Sequence, residues 1–497
     1  MNPESQFTTQ DNTGAGQKEN PVGWESMLHI KPRQRFLSTA QIQGLHEATL
    51  SLMERTGFKV THEKAKEILH SNGASVDGDR VRLPGWLVEK ALSTAPSQVV
   101  FFDRNRTKPV ILKDDDTWYG PTVDAFDYLD PDNGERRPFT VDDCRKTARL
   151  ADALENFTWI MTIGVCSDAP SATSDRLIAK QVLANSTKPL LFCCGSMDSM
   201  RDIYDMGILL AGNEERLLNQ PNIIGFQAPI SPLTYDDALI DRLLFAAEKG
   251  LPQVCYSGPQ AGSTSPATLA GTVVQGSAES LFGIILGQLV NPGCPFVYGA
   301  FATIMDMATT VFSYGAPEMN IMASAMAQLA HHYSIPFFGM SGCSDAKFPD
   351  SQAAVEATFS CFSSSMSGAN MVHDNGWLDH STLISPEYMV LVNEVIEKVN
   401  RYMNGMRVDE ERLALDVIDK VGPGGHFLME PHTMNHFREV WYSKLFDRTT
   451  TAAWRAAGSK QFHERLKEHT LKIMEHEPEP LPEETAKELE KMAKKWM

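Results

Sequence analysis

Short apolar runs recur along this chain, and the residues that close them could do chemistry. They are Tyr119, Cys166, Cys194, Gln227, Tyr256, Tyr298, Phe301, Cys343, Asp345, His373 and Asp374. Aromatic rings and neutral polar groups dominate the set. Such a rim suits a small organic cation, because ring faces attract quaternary ammonium groups through their quadrupoles. Tyr119, Tyr256, Tyr298 and Phe301 are the candidates for that cage, with core packing the competing role for each. No Arg closes a run, so Gln227 and His373 are the candidates for a carboxylate at the far end of the substrate. His373 could equally bridge loops. Asp345 and Cys343 are possible site or loop residues, and Asp345 with Lys347 could form a loop-ordering ion pair.

The chemistry that is missing narrows the field. There is no HExxH, no nucleophile elbow with an ordered Ser-His-Asp set, and no conspicuous carboxylate pair. The eight cysteines form no CxxC pair, so buried free thiols and no bound metal are expected. His331 and His332 lie in a helical stretch and read as structural. Glu430, His432 and His436 lie near the C-terminus, where packing competes with covering a site.

The runs themselves must position these groups. They are Thr117–Thr122, Phe157–Val165, Pro189–Ser196, Asn222–Pro229, Pro252–Gly258, Pro295–Phe301, Pro336–Gly342 and Asn370–Gly376. Each ends in small or polar residues and is followed by a helical stretch. The spacing is close to the ~31 residues of one βα unit in a ~250-residue barrel, which predicts a (β/α)8 barrel with its site at the carboxyl ends of the strands. An open doubly wound sheet is the alternative, but neither GxGxxG after the first strand nor GxxxxGK[ST] occurs. Thr140, Ser171 and Thr234 read as helix caps. Leu281–Ala302 is the most apolar stretch, and Gln288, Asn291 and Pro292 break it into helix, turn and strand.

Four regions follow: a flexible tail over 1–35, a helical region over 36–96, the barrel over 97–405 and a helical extension over 406–497. The formal net charge of −18 opposes nucleic-acid binding, which needs a basic footprint. The polar N-terminus lacks the apolar segment of a signal peptide, so a cytoplasmic protein without a membrane partner is expected. A homo-oligomer is possible.

The segment from Gly339 to Glu356, with Asp350, Gln352 and Glu356 at a helix start, resembles the trimethylamine methyltransferase superfamily of corrinoid-dependent enzymes. So do residues 117–154, 315–339, 367–379 and 422–438, in the same order and spacing. The resemblance runs from about residue 30 to about 460. It implies a (β/α)8 barrel, a methylamine donor and a partner corrinoid protein that docks over the barrel mouth, with no cofactor held tightly by this chain. The trimethylamine enzymes carry pyrrolysine, whereas this sequence has only standard residues. It therefore resembles the branch that demethylates quaternary amines, glycine betaine first, then proline betaine or carnitine. A zinc-dependent barrel methyltransferase and a binding protein for an organic cation are the competing classes.

Overall fold

The computed structural model describes residues 31–113 and 116–496. Most of the expected tail lies outside the described residues. At its end Arg33 Nη1 donates to the Ser365 carbonyl at 3.0 Å, and Gln34 N donates to that of Met366 at 2.9 Å.

All eight apolar runs contain a strand: β1 Trp118–Pro121, β2 Ile160–Met161, β3 Leu190–Phe192, β4 Ile223–Gln227, β5 Gln253–Ser257, β6 Phe296–Ala300, β7 Phe337–Met340 and β8 Met371–Asn375. They are parallel and hydrogen-bonded in the order β1, β8, β7, β6, β5, β4, β3, β2. An isolated bridge between Tyr119 and Phe157 joins the ends, with Thr158 N donating to Tyr119 O at 2.7 Å. Met371 stands opposite Trp118, so the first and last strands are neighbours and the sheet is a barrel. A main helix follows each strand: α1 Val141–Ala153, α2 Ser174–Ala184, α3 Met197–Ala211, α4 Asp237–Lys249, α5 Leu269–Val290, α6 Pro317–Tyr333, α7 Ser351–Ser367 and α8 Pro386–Met403.

The stretch Leu281–Ala302 resolves as expected into the end of α5, a turn and β6. Among the described residues α5 is the one helix long and apolar enough to cross a membrane, yet 78% of its most apolar window is buried. A helix that is apolar on every side needs cover on every side. The barrel covers one face of α5, and helices Thr39–Arg55, Glu63–Ser71 and Gly85–Leu92 cover another. Those three belong to the region read as helical. That region also holds three-residue strands at Phe58–Val60, Ser75–Asp77 and Arg80–Arg82, too short to leave a period in the sequence.

The caps need two corrections. Thr140 caps α1 as expected, its hydroxyl accepting from Asp143 N. Helix α2 starts after Thr173, not at Ser171. Helix α4 is capped by Asp236, which accepts from Leu239 N at 2.7 Å. Thr234 is held extended by pairing with Lys59, so it cannot turn into the helix.

At the start of α1, Arg137 grips Asp143 at 2.6 and 2.8 Å. Burial raises the Asp143 carboxyl, but hydrogen bonds from Arg137 and Thr140 outweigh it and hold the group below the ordinary carboxylate range. The folded carboxyl is therefore a stronger acid than the unfolded one. Its contribution to stability is present above the unfolded value and is lost as pH falls through the folded value. Replacing Arg137 by Ala should cost about 1.5–3 kcal/mol near neutral pH, the worth of hydrogen bonds to a charged group. That difference from the parent should shrink in urea titrations as the pH approaches 3.

The chain forms two compact units. One comprises residues 33–403 and 442–497 and contains the whole barrel. Near its re-entry the buried Glu394 of α8 accepts from Lys444 N at 2.9 Å and from the Ser443 hydroxyl. Helices Phe462–Ile473 and Glu483–Ala493 then pack on the barrel's outside, against α8 and against α2 and α3. The other unit, among the described residues, is 31–32 and 404–441. Inside it Glu430 pairs with Lys420 at 2.7 Å, His436 with Glu439 at 2.8 Å, and the rings of His432 and His436 lie 4.3 Å apart.

Candidate active site

Along a barrel strand, alternate side chains face the helices and the axis. In β5, Ser257 faces outward, its hydroxyl donating to Gly276 O in α5 at 2.9 Å, while Tyr256 points inward. This phase, invisible in the sequence, sorts the candidate residues.

Tyr119, Tyr298 and Gln227 turn away from the axis, which corrects the cage read from sequence. The Tyr119 hydroxyl lies 2.5 Å from Ser365 Oγ and 3.1 Å from Cys361 O, both in α7. The Tyr298 ring meets Tyr333 of α6 at 5.9 Å and Phe337 at 6.0 Å. Gln227 shares the outer face of β4 with Gly225, where a Cβ would lie 3.5 Å from Gln227 Nε2 and 3.9 Å from Met200 Cε of α3. All three fill the layer between strands and helices.

Tyr256 and His373 meet inside the barrel. The phenol and His373 Nε2 are 2.8 Å apart, and the imidazole stacks on Phe338 at 4.3 Å and 22°. Phe226 and Phe338 each approach the Tyr256 ring at 5.3 Å. Gly299 makes room, since a Cβ there would lie 3.0 Å from the Tyr256 ring. Deeper in, the fully buried Trp159 lies 5.7 Å from Phe338 and presses on Gly120, where a Cβ would come within 2.5 Å of the indole.

Toward the carboxyl ends of the strands a second aromatic group begins at Phe301. Phe301 stacks on Tyr314 at 4.9 Å and 23°, Phe312 meets both edge-on, and Trp377 lies 5.7 Å from Tyr314. Asp345 holds this loop in place. It accepts from Tyr314 N at 2.7 Å, from Gly315 N at 3.0 Å and from the Ser313 hydroxyl. Glu356 of α7 accepts in turn from Asp345 N at 3.0 Å and Ser344 Oγ at 2.5 Å. The expected Asp345–Lys347 pair does not form. Asp345 faces His380 at 3.0 Å, and the Lys347 amine faces Asp379 at 3.3 Å. Cys343 is fully buried, and its thiol is pushed well up by burial, then by the nearby carboxylates of Asp374 and Asp345.

Two further carboxylates matter here: Asp374, which closes the last run but was given no role from sequence, and Asp124, which sequence reasoning did not name. Asp374 sits on a bulge. Against β1, β8 places Met371 opposite Trp118 and Val372 opposite Tyr119, but then Asn375 opposite Pro121, so it carries one residue more. Asp374 takes up the excess at φ +70°, a conformation that strains a non-glycine residue by about 1–3 kcal/mol. Bulges of this kind re-aim side chains beside functional sites. The carboxylate is fully buried, and Oδ1 comes within 2.6 Å of His373 Nδ1. The approach is short but not aligned for a hydrogen bond, and neither carboxylate oxygen has an aligned donor. Burial pushes the carboxyl up from its ordinary value, and His373 works against that.

Asp124, beyond the end of β1, is exposed. Desolvation by the surrounding protein, with a smaller push from Asp175, raises its carboxyl to about 7. The only hint in the sequence was position. Among the described residues no three His, Cys, Asp or Glu side chains come together to hold a metal ion.

The barrel with this mouth has relatives. The sequence profile of the trimethylamine methyltransferase (MTTB) family matches residues 6–496. This chain belongs to that family. It is 32% identical over 452 residues to a trimethylamine methyltransferase of Desulfitobacterium hafniense, covering 90% of this chain and 91% of that one. It is 33% identical over 431 residues to a glycine betaine methyltransferase from strain Y51 of the same species, covering 86% and 90%. Among solved structures it is similar to the monomethylamine methyltransferase of Methanosarcina barkeri, with a TM-score of 0.46, 10% identity, and 90% and 95% of the chains covered. The chain is thus a methyltransferase.

Proposed function

We propose that the chain moves a methyl group from a small quaternary amine to the cobalt of a separate corrinoid protein docked over the barrel mouth. The observation that carries this reading is the aromatic chamber at the carboxyl ends of β5 to β8, formed by Tyr256, Phe301, Tyr314 and Trp377. Glycine betaine, the donor named by one relative, heads the panel to test, followed by proline betaine and carnitine.

The docked corrinoid supplies a Co(I) nucleophile that takes up the methyl carbon. This chain's residues supply position and dryness. A quaternary ammonium leaves as a neutral tertiary amine, so its departure demands no general acid. Correct placement alone can contribute ~7–11 kcal/mol. The mouth also suits a broad apolar partner. Phe126, Val165, Ile230, Met307 and Phe348 follow β1, β2, β4, β6 and β7, and all five are exposed. Exposed apolar side chains gathered on one rim mark an interaction site.

The test is methyl transfer to added Co(I) cobalamin across a panel of quaternary amines, followed by absorbance. Transfer from at least one amine is expected, and none from trimethylamine. Phe126→Asp and Met307→Asp should slow transfer to the cognate corrinoid protein about tenfold yet spare transfer to free cobalamin. No transfer from any amine would sink the reading.

A further inference from the structure

Asp374 is a buried carboxylate that the methyl-transfer reading leaves without a task. Its oxygens have no aligned donor, and the backbone is strained to place it. A buried carboxylate without donors is costly, and a purely structural role would be met better by Asn or Gly at this φ. His373 is the one close neighbour that opposes the effect of burial on it. His373 on its own strand presents Nδ1 to it and is committed through Nε2 to the Tyr256 phenol. The phenols of Tyr256 from β5 and of Tyr314 from the loop after β6, and the Cys343 thiol after β7, all lie within electrostatic reach of the carboxylate and are pushed up by burial first and by the carboxylate second. None of these groups is a fixed cation. The aromatic faces of Tyr256 and Tyr314 are those assigned above to the ammonium.

We propose that Asp374 is the counter-ion of the ammonium group, and that the cation enters the chamber in exchange for a proton held by the Asp374–His373 pair. The proposal rests on the reading that this chamber binds an ammonium ion. In the empty chamber burial favours the protonated carboxyl. A methylammonium cation brought against it favours the ionised form, so the proton departs to solvent and the charge inside the barrel is unchanged. The sign follows. The cation binds the deprotonated pair, so affinity rises with pH up to the value at which the empty site titrates and is flat above it. A quaternary ammonium has no N–H to donate, so the contact is purely electrostatic. Asn, the same size but uncharged, should lose it.

Calorimetry of the full chain without corrinoid tests this, using tetramethylammonium, choline and glycine betaine in buffers of different ionisation enthalpy. The parent should bind at least one of them, release up to one proton on binding below the pH at which the empty site titrates, and bind more tightly as pH rises toward that value. Asp374→Asn should bind that ion at least tenfold more weakly with no proton released, while its melting temperature reports that it folds. Asp374→Glu, which keeps the charge, should retain the proton release. Parent-like affinity in Asp374→Asn, binding by the parent with no proton released, or no binding of any of the three overturns the proposal. Methyl transfer to Co(I) cobalamin, measured separately, distinguishes the two ideas. Transfer with an unaffected Asp374→Asn rejects the counter-ion and keeps the methyltransfer reading. Proton-linked binding with no transfer does the reverse.

Discussion

Tyr256→Leu and Tyr314→Leu should each weaken binding of the ammonium substrate about thirtyfold, while Tyr119→Leu and Tyr298→Leu should leave it unchanged. Four tyrosines of similar burial thus divide by direction alone. A cation desolvated against a ring face gains ~2 kcal/mol, and each ~1.4 kcal/mol is a factor of ten in affinity. Tyr256, beside His373, and Tyr314, stacked on Phe301, are the rings assigned above to the ammonium. Tyr119 and Tyr298 spend theirs on α7 and α6. The outer pair should instead lower stability, since Tyr119 loses its bond to Ser365 and Tyr298 its ring contacts. Equilibrium binding and thermal melting of the four variants give a crossed result. Equal loss of affinity in all four would mean that the chamber is held by overall packing and not by its own rings.

Trp159→Ala should destabilise the fold by about 3–5 kcal/mol, the range for emptying a large buried aromatic site. Trp159 is fully buried and wedged between Gly120 and Phe338. Neither neighbour can refill the space, because Gly120 has no side chain and Phe338 is stacked on His373. Urea denaturation measures the loss. Turnover should fall as well, because Phe338 is the surface on which His373 lies. A loss under about 1 kcal/mol would show that the barrel floor relaxes freely.

The fold was legible because eight β-branched and aromatic runs at near-constant spacing leave few alternatives once nucleotide-binding loops are absent. The site was legible only by element. Tyr256, Phe301 and His373 stand at strand ends and face inward. Tyr119, Tyr298 and Gln227 stand at equivalent positions and face out, and a run apolar on both faces carries no alternation that would reveal its phase. Tyr314 was missed because it lies in an irregular loop whose shape is set by Asp345, a contact between residues 31 apart in sequence. Asp374 was read as the neighbour of His373, since a bulge is a mismatch between two strands and neither strand shows it alone. Asp124 gave no sign beyond following the first run.

The closure of the barrel has a consequence for its breathing. Strand β2 has two residues, and it meets β1 through one bridge, while β5 and β6 pair over five residues. Free energies of local opening track the backbone bonds that must break, so the slack in this ring is concentrated at one seam. The loops above the seam are stitched separately, by Asp124 N to Thr162 O at 3.3 Å and Val165 N to Ala125 O at 2.7 Å. Asp124 is itself one of those stitches. A fluctuation that parts the first two staves therefore displaces the Asp124 carboxylate, while the side chains on β5 and β6, which pair over five residues, keep their places. The barrel is rigid where the cation is held and compliant at the opposite edge, where a bulky partner must settle and leave.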